Sequence, residues 1–145
     1  MTRTIKSSFI GGAFVPVSGG EGAGGVLDNL NPSNPGEIVD RFARADAELT
    51  QRAISAAKDA SRSWSRSNPQ FRADILDRIG TEILARREEL AKLLAREEGK
   101  VVREALGEVD RAGRSFKFYA QEALRANGEK YDSVREGVGV DVTTQ

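Results

Sequence analysis

The apolar residues of this chain change their spacing near residue 46, and that switch constrains the fold more than any other feature. Ahead of it, short apolar pairs are separated by glycine, proline and asparagine. Beyond it, apolar residues recur three or four positions apart as far as residue 127, the period of a helix packed on one face. Val138, Val140 and Val142 then return to the two-residue period of a strand. The chain therefore reads as α+β: an N-terminal hairpin and short strands, about four α-helices, then a strand. At 145 residues, one domain with a sizeable core is expected.

Local signals place the elements. Phe9-Ile10, Gly11-Gly12 and Ala13-Phe14-Val15 predict a hairpin, because two glycines supply the positive φ angles of a tight turn. Residues 18–25 read as a flexible loop, Val26 to Leu30 as a strand, and Asn31 to Gly36 as turn chemistry. Strand character resumes from Glu37 to Ala43. Asp46 is placed to cap a first helix whose apolar face is Ala53, Ile54, Ala57, Ala60 and Trp64. Asn68 and Pro69 predict the next N-cap and first helical position, ahead of a stripe from Phe71 through Ile75, Leu76, Ile79, Ile83 and Leu84. That stripe slips phase where Arg87 falls on an apolar position. A break over 86–88 is therefore expected, then a third helix on Leu90, Leu93 and Leu94 that Gly99 ends. A fourth runs from about Val101 to Asn127 on Val102, Ala105, Leu106, Val109, Ala112, Phe116, Tyr119, Ala120 and Ala123, with Phe118 off that stripe. A strand starting so near the end of a chain has no later partner, so the C-terminus is expected to be a cut.

Composition narrows the chemistry. Twenty-two basic residues balance twenty-two acidic ones, so no overall field draws nucleic acid or an anionic membrane. No apolar run approaches the roughly 20 residues needed to span a bilayer, and no signal peptide is evident, so a cytoplasmic address is expected. The chain has no cysteine and no histidine. A thiol nucleophile, a zinc–thiolate site and an imidazole base are thereby excluded from it.

The remaining motifs are weak. Gly20-Glu21-Gly22-Ala23-Gly24-Gly25 has the spacing of a dinucleotide fingerprint, but a strand-like segment follows where the fingerprint requires a helix N-terminus. A surface loop is the reading that fits. Arg86-Arg87-Glu88-Glu89 and Arg96-Glu97-Glu98 read as solvated helix faces. Arg103 and Arg114, eleven apart, share a helix face with Arg111 close by; this is an ordinary polar face or an anion site.

The order of segments resembles the start of an NAD(P)-dependent aldehyde dehydrogenase. The matching pieces are Phe9-Ile10-Gly11-Gly12-Ala13-Phe14-Val15, Asn31-Pro32 through Gly36-Glu37-Ile38, a helix ending in Trp64, and Arg72-Ala73-Asp74-Ile75-Leu76. Arg87-Glu88-Glu89-Leu90-Ala91 with Glu97-Glu98-Gly99-Lys100, and Phe118-Tyr119-Ala120 followed by Gly128-Glu129, complete the set. Gly107 to Ala112, Phe116 to Ala123 and the tail from Gly128 look closest to α-ketoglutaric semialdehyde dehydrogenases.

The resemblance implies a partial aldehyde dehydrogenase fold. Residues 1–45 would be N-terminal strands and turns, 46–128 the helical part of the cofactor-binding domain, and 129–145 the first strand of an oligomerisation arm. It implies oxidation of an aldehyde to an acid with NAD or NADP, through a cysteine thiolate and a hydride transfer. A chain without cysteine is then expected to be inactive alone and to bind no cofactor alone, so no catalytic residue is assigned. By position in the family, Gly107, Arg111, Arg114 and Phe118 would line the substrate tunnel. Leu30, through its carbonyl, and Glu97 would contribute to a monovalent-cation site. An arginine in the tunnel suits a carboxylate-bearing aldehyde. The complete enzyme would be a homodimer or homotetramer. Two other readings stand beside this one: a non-catalytic helical interaction module derived from such an enzyme, and a truncated product that self-associates through exposed apolar faces.

Overall fold

The computed structural model describes residues 4–15, 25–125 and 128–143. The loop at 18–25 and its glycine pattern fall almost wholly outside these residues, and the last helix stops at Glu122, short of the expected Asn127.

Strands β1 (Phe9–Ile10) and β2 (Ala13–Phe14) pair antiparallel around Gly11 and Gly12, whose φ angles are 62° and 87°. Both values lie where a Cβ is disfavoured, so the Gly-Gly pair is what allows a two-residue turn. A second hairpin joins β3 (Val26–Asn31) to β4 (Asn34–Ala43). Here the turn is shorter than the sequence suggests. It is only Pro32-Ser33, because Asn31 Oδ1 accepts from the Ser33 N–H at 3.0 Å and closes the chain early. Pro35 and Gly36 sit instead where the ladder shifts register between Leu30/Ile38 and Asn31/Asn34, a place that tolerates a missing donor. The backbone at Lys6 adds a short parallel bridge to β4 at Phe42.

Four helices follow: α1 (Ala47–Ser65), α2 (Pro69–Ala85), α3 (Arg87–Glu98) and α4 (Val102–Glu122). Asp46 caps α1 by accepting from the Leu49 N–H at 2.7 Å, and Asn68 caps α2 with Pro69 in its first turn. Arg86 separates α2 from α3, at the phase slip. Gly99, at φ 71°, ends α3 in the left-handed conformation.

The main core lies where α4 meets α2 and α3. Its fully buried members are small: Ala91 and Ala95 from α3, Ala105 and Val109 from α4, with Ile83, Leu90, Leu94 and Leu106 around them. Gly80 of α2 and Gly113 of α4 are also buried where these two helices cross, close enough that a Cβ on Gly80 would stand 2.7 Å from Gly113 O. The large core expected from chain length is therefore not formed: among the described residues no large side chain is fully buried. Helix α1 has no buried residue, and Ile54 and Trp64 of its apolar face stay open. Tyr119 departs from expectation too. It is 62% exposed, because the buried line on α4 runs through Ala105, Val109, Gly113 and Ala120.

The last hairpin also corrects the sequence reading. Strand β6 (Gly139–Val142) does have a partner, the earlier β5 (Glu129–Asp132), in antiparallel register Tyr131↔Val140. It is not an unpaired first strand. Alternation puts Tyr131, Val140 and Val142 on one face and the Lys130–Asp141 ion pair on the other. No helix of the described residues is long and apolar enough to cross a membrane.

Candidate functional site

Helix α4 presents Gly107, Arg111, Arg114 and Phe118 at positions i, i+4, i+7 and i+11, a spacing that returns to one face. The structure brings all four to a single open groove of about 570 Å³. Asp110, Ser115 and Tyr119 complete its walls, whereas Arg103 is not among them. Phe118 and Tyr119 meet edge to face with ring centroids 5.3 Å apart, forming an apolar end. The guanidiniums of Arg111 and Arg114 form the polar part, and neither has an ion-pair partner among the described residues. A Cβ added at Gly107 would meet nothing within 4 Å, so this glycine leaves open space above the helix.

Asp110 is accounted for differently. Arg87 of α3 brings Nε to 2.6 Å from Asp110 Oδ1, as an ion pair approached off the N–H axis. In the sequence Arg87 stands out as the residue that interrupts an apolar stripe and otherwise reads as part of a solvated helix face. Its real partner lies on another helix, which no local spacing reveals.

Leu30 and Glu97 lie where the β3–β4 hairpin docks on the end of α3. Glu97 Oε1 accepts from Asn29 Nδ2 at 3.1 Å, one residue before Leu30, and Leu30 itself stands at the register shift of β3. Several polar contacts secure the docking. Arg96 pairs with Glu37 at 2.6 Å, Glu37 accepts from Asn31 Nδ2 at 2.9 Å, and Ser33 Oγ donates to Gly99 O at 2.6 Å. Among the described residues, no group of three or more carboxylates is arranged to hold a metal ion.

Further ion pairs brace the helix junctions. Glu89 is held below the ordinary glutamate range by the hydrogen bond from Arg86, whose guanidinium is raised in turn. Lys100 is raised by its hydrogen bonds to Glu108 and then Glu98, bridging the end of α3 to α4. An apolar groove of about 510 Å³ runs along Ile75, Ile79, Ile83 and Leu90, edged by Arg78 and Arg86.

This arrangement of helices and hairpins is shared with NAD+-binding aldehyde dehydrogenases of known structure. Betaine aldehyde dehydrogenase from Staphylococcus aureus, solved in complex with NAD+, is 28% identical with a TM-score of 0.78, over 90% of this chain and 25% of that one. An apo variant of the same enzyme gives 26% identity and a TM-score of 0.81, over 95% and 27%. A sequence model of the aldehyde dehydrogenase family matches residues 20–145, and the chain belongs to that family. Among curated proteins it is similar to 1-pyrroline-5-carboxylate dehydrogenase of Geobacillus thermodenitrificans, 36% identical over 99 residues, which are 68% of this chain and 19% of that protein. The enzyme of the same name from Anoxybacillus flavithermus is 32% identical over 125 residues, 85% of this chain and 24% of that protein. The chain thus spans about a fifth to a quarter of the length of the curated relatives it matches.

Proposed function

We propose that this chain is the N-terminal portion of an aldehyde dehydrogenase that oxidises a carboxylate-bearing aldehyde to an acid with NAD or NADP. In this reading Arg111 and Arg114 orient the substrate's carboxylate by charge-assisted hydrogen bonds, and Phe118 with Tyr119 packs its apolar part. Gly107 leaves the clearance for it to lie along α4. The observation that carries the reading is the pair of unpartnered guanidiniums in one groove with an aromatic end. The relatives' name adds support, since 1-pyrroline-5-carboxylate bears a carboxylate.

On this reading the chain does not perform the reaction alone. It has no cysteine to attack an aldehyde. Among the described residues no glycine-rich turn opens a helix, the arrangement that seats a pyrophosphate. When bound elsewhere in the enzyme, the nicotinamide would supply a hydride acceptor. The exposed apolar faces of α1 and α2 are then surfaces for the rest of the enzyme, with residues 46–128 the helical part of the cofactor-binding domain. The β5–β6 hairpin opens the oligomerisation arm, and Leu30 and Glu97 belong to a monovalent-cation site completed outside this chain.

The test is Arg111→Met in the enzyme that carries this chain, assayed on a carboxylate-bearing aldehyde and a neutral one of equal length. KM should rise for the acidic aldehyde alone, by roughly tenfold or more for a lost charged hydrogen bond. Equal changes on both aldehydes would refute the assignment.

A further inference from the structure

The cationic character of the α4 groove depends on a residue behind it. Asp110 is the acid among its walls, and on α4 it stands four residues before Arg114. That is the spacing and order in which a helical ion pair forms most readily. The pair does not form. Instead Asp110 is held by Arg87 from α3, with Nε 2.6 Å from Oδ1, and Arg114 is left without a partner among the described residues. Arg87 and Asp110 are 39% and 31% exposed, so their pairing is only partly screened by solvent. Glu88 also approaches Arg87, at 3.2 Å from Nη1, and draws on the other arm of the guanidinium.

We infer that Arg87 is a positioning residue that keeps the groove cationic: by occupying Asp110 it leaves Arg111 and Arg114 free for a carboxylate. The inference rests on the carboxylate-binding reading of the groove given above. Without Arg87, Asp110 turns along its own helix to Arg114. It then spends one guanidinium and sets a negative charge where the ligand's own must lie. Arg87 touches no ligand in this scheme; it acts through Asp110.

Glutarate titrated into the ¹⁵N-labelled full chain, read at the arginine Nε–Hε resonances, tests this, with glutaramide as the neutral control. Glutarate, and not glutaramide, should shift the Arg111 and Arg114 signals. Arg87→Met should weaken glutarate binding roughly two- to fivefold, the range of a partly exposed charge pair, and should move the Arg114 signal before any ligand is added. Adding Asp110→Asn to Arg87→Met should restore the affinity, because the released acid is gone. A double variant as weak as the single, or an Arg87→Met affinity equal to wild type, overturns the inference while leaving the groove's carboxylate binding intact. A wild-type chain that does not prefer glutarate to glutaramide overturns both. If Arg87→Met does not fold, Asp110→Asn alone decides: affinity at or above wild type supports the proposal, and a loss refutes it.

Discussion

Two glycines of the helical unit should respond to the same substitution with opposite signs. Gly107→Ala adds a methyl group that meets nothing within 4 Å, so only helix propensity acts, and stability should rise by about 0.5–1 kcal/mol. Gly80→Ala gains the same propensity. Its new Cβ, however, would lie 2.7 Å from Gly113 O and 2.9 Å from Lys117 Cγ. The lysine methylene can move aside, but the carbonyl belongs to a helix and cannot rotate away. Helices α2 and α4 must separate, and overpacking of this kind costs about 1–3 kcal/mol. The net result is a loss and, because the propensity gain is common to both, the two variants should differ by the overpacking cost, about 1–3 kcal/mol. Urea unfolding followed by circular dichroism reads this directly: the Gly107→Ala midpoint rises, the Gly80→Ala midpoint falls, and the m-value holds. If both variants are stabilised alike, the close helix crossing is wrong, and with it the placement of the α4 groove relative to α2.

Other outcomes follow from the polar contacts. Asn31→Ala removes an amide that donates to Glu37 and accepts from the Ser33 N–H, so urea unfolding should show a loss of about 1–3 kcal/mol. Lys100→Met should lower the melting temperature at neutral pH. Because the folded-state pKa of Lys100 is raised, its contribution is complete below the ordinary lysine pKa and is lost as pH rises through the raised value. The wild-type advantage over Lys100→Met should therefore be flat through neutrality and vanish only in strong alkali; an advantage that fades between weakly acidic and neutral pH would contradict the assigned cause.

The elements most legible in the sequence are those fixed by contacts a few residues apart. Gly11-Gly12 dictates its turn because two successive positive φ angles admit little else. Asp46, Asn68 and Gly99 act on backbone groups within one helical turn, and the phase slip at Arg87 marks the α2–α3 break without knowledge of any neighbour. Strand β5 was hidden because Glu129-Lys130-Tyr131-Asp132 has three charged residues in four, and only its distant partner β6 makes it a strand. On α4 the periodic stripe includes the buried Ala105, Val109 and Ala120 but takes in Tyr119 and passes over Gly113, for a related reason. Periodicity gives a broad apolar stripe, but the surface that meets α2 and α3 is selected by close approach, which favours Ala105, Gly113 and Ala120 over Tyr119. At the groove the pattern repeats. Gly107, Arg111, Arg114 and Phe118 share a face by spacing alone, while the Arg87–Asp110 pair spans two helices and left no periodic trace.

If this chain supplies the walls of a dehydrogenase site, as proposed, another stretch of the same polypeptide supplies its nucleophile. The intact mass of the protein purified from its natural source tests this most directly. The expected mass is several times the 15.7 kDa of these 145 residues, in a polypeptide that contains cysteine. A monodisperse product of 15.7 kDa would contradict it and favour a free-standing helical module.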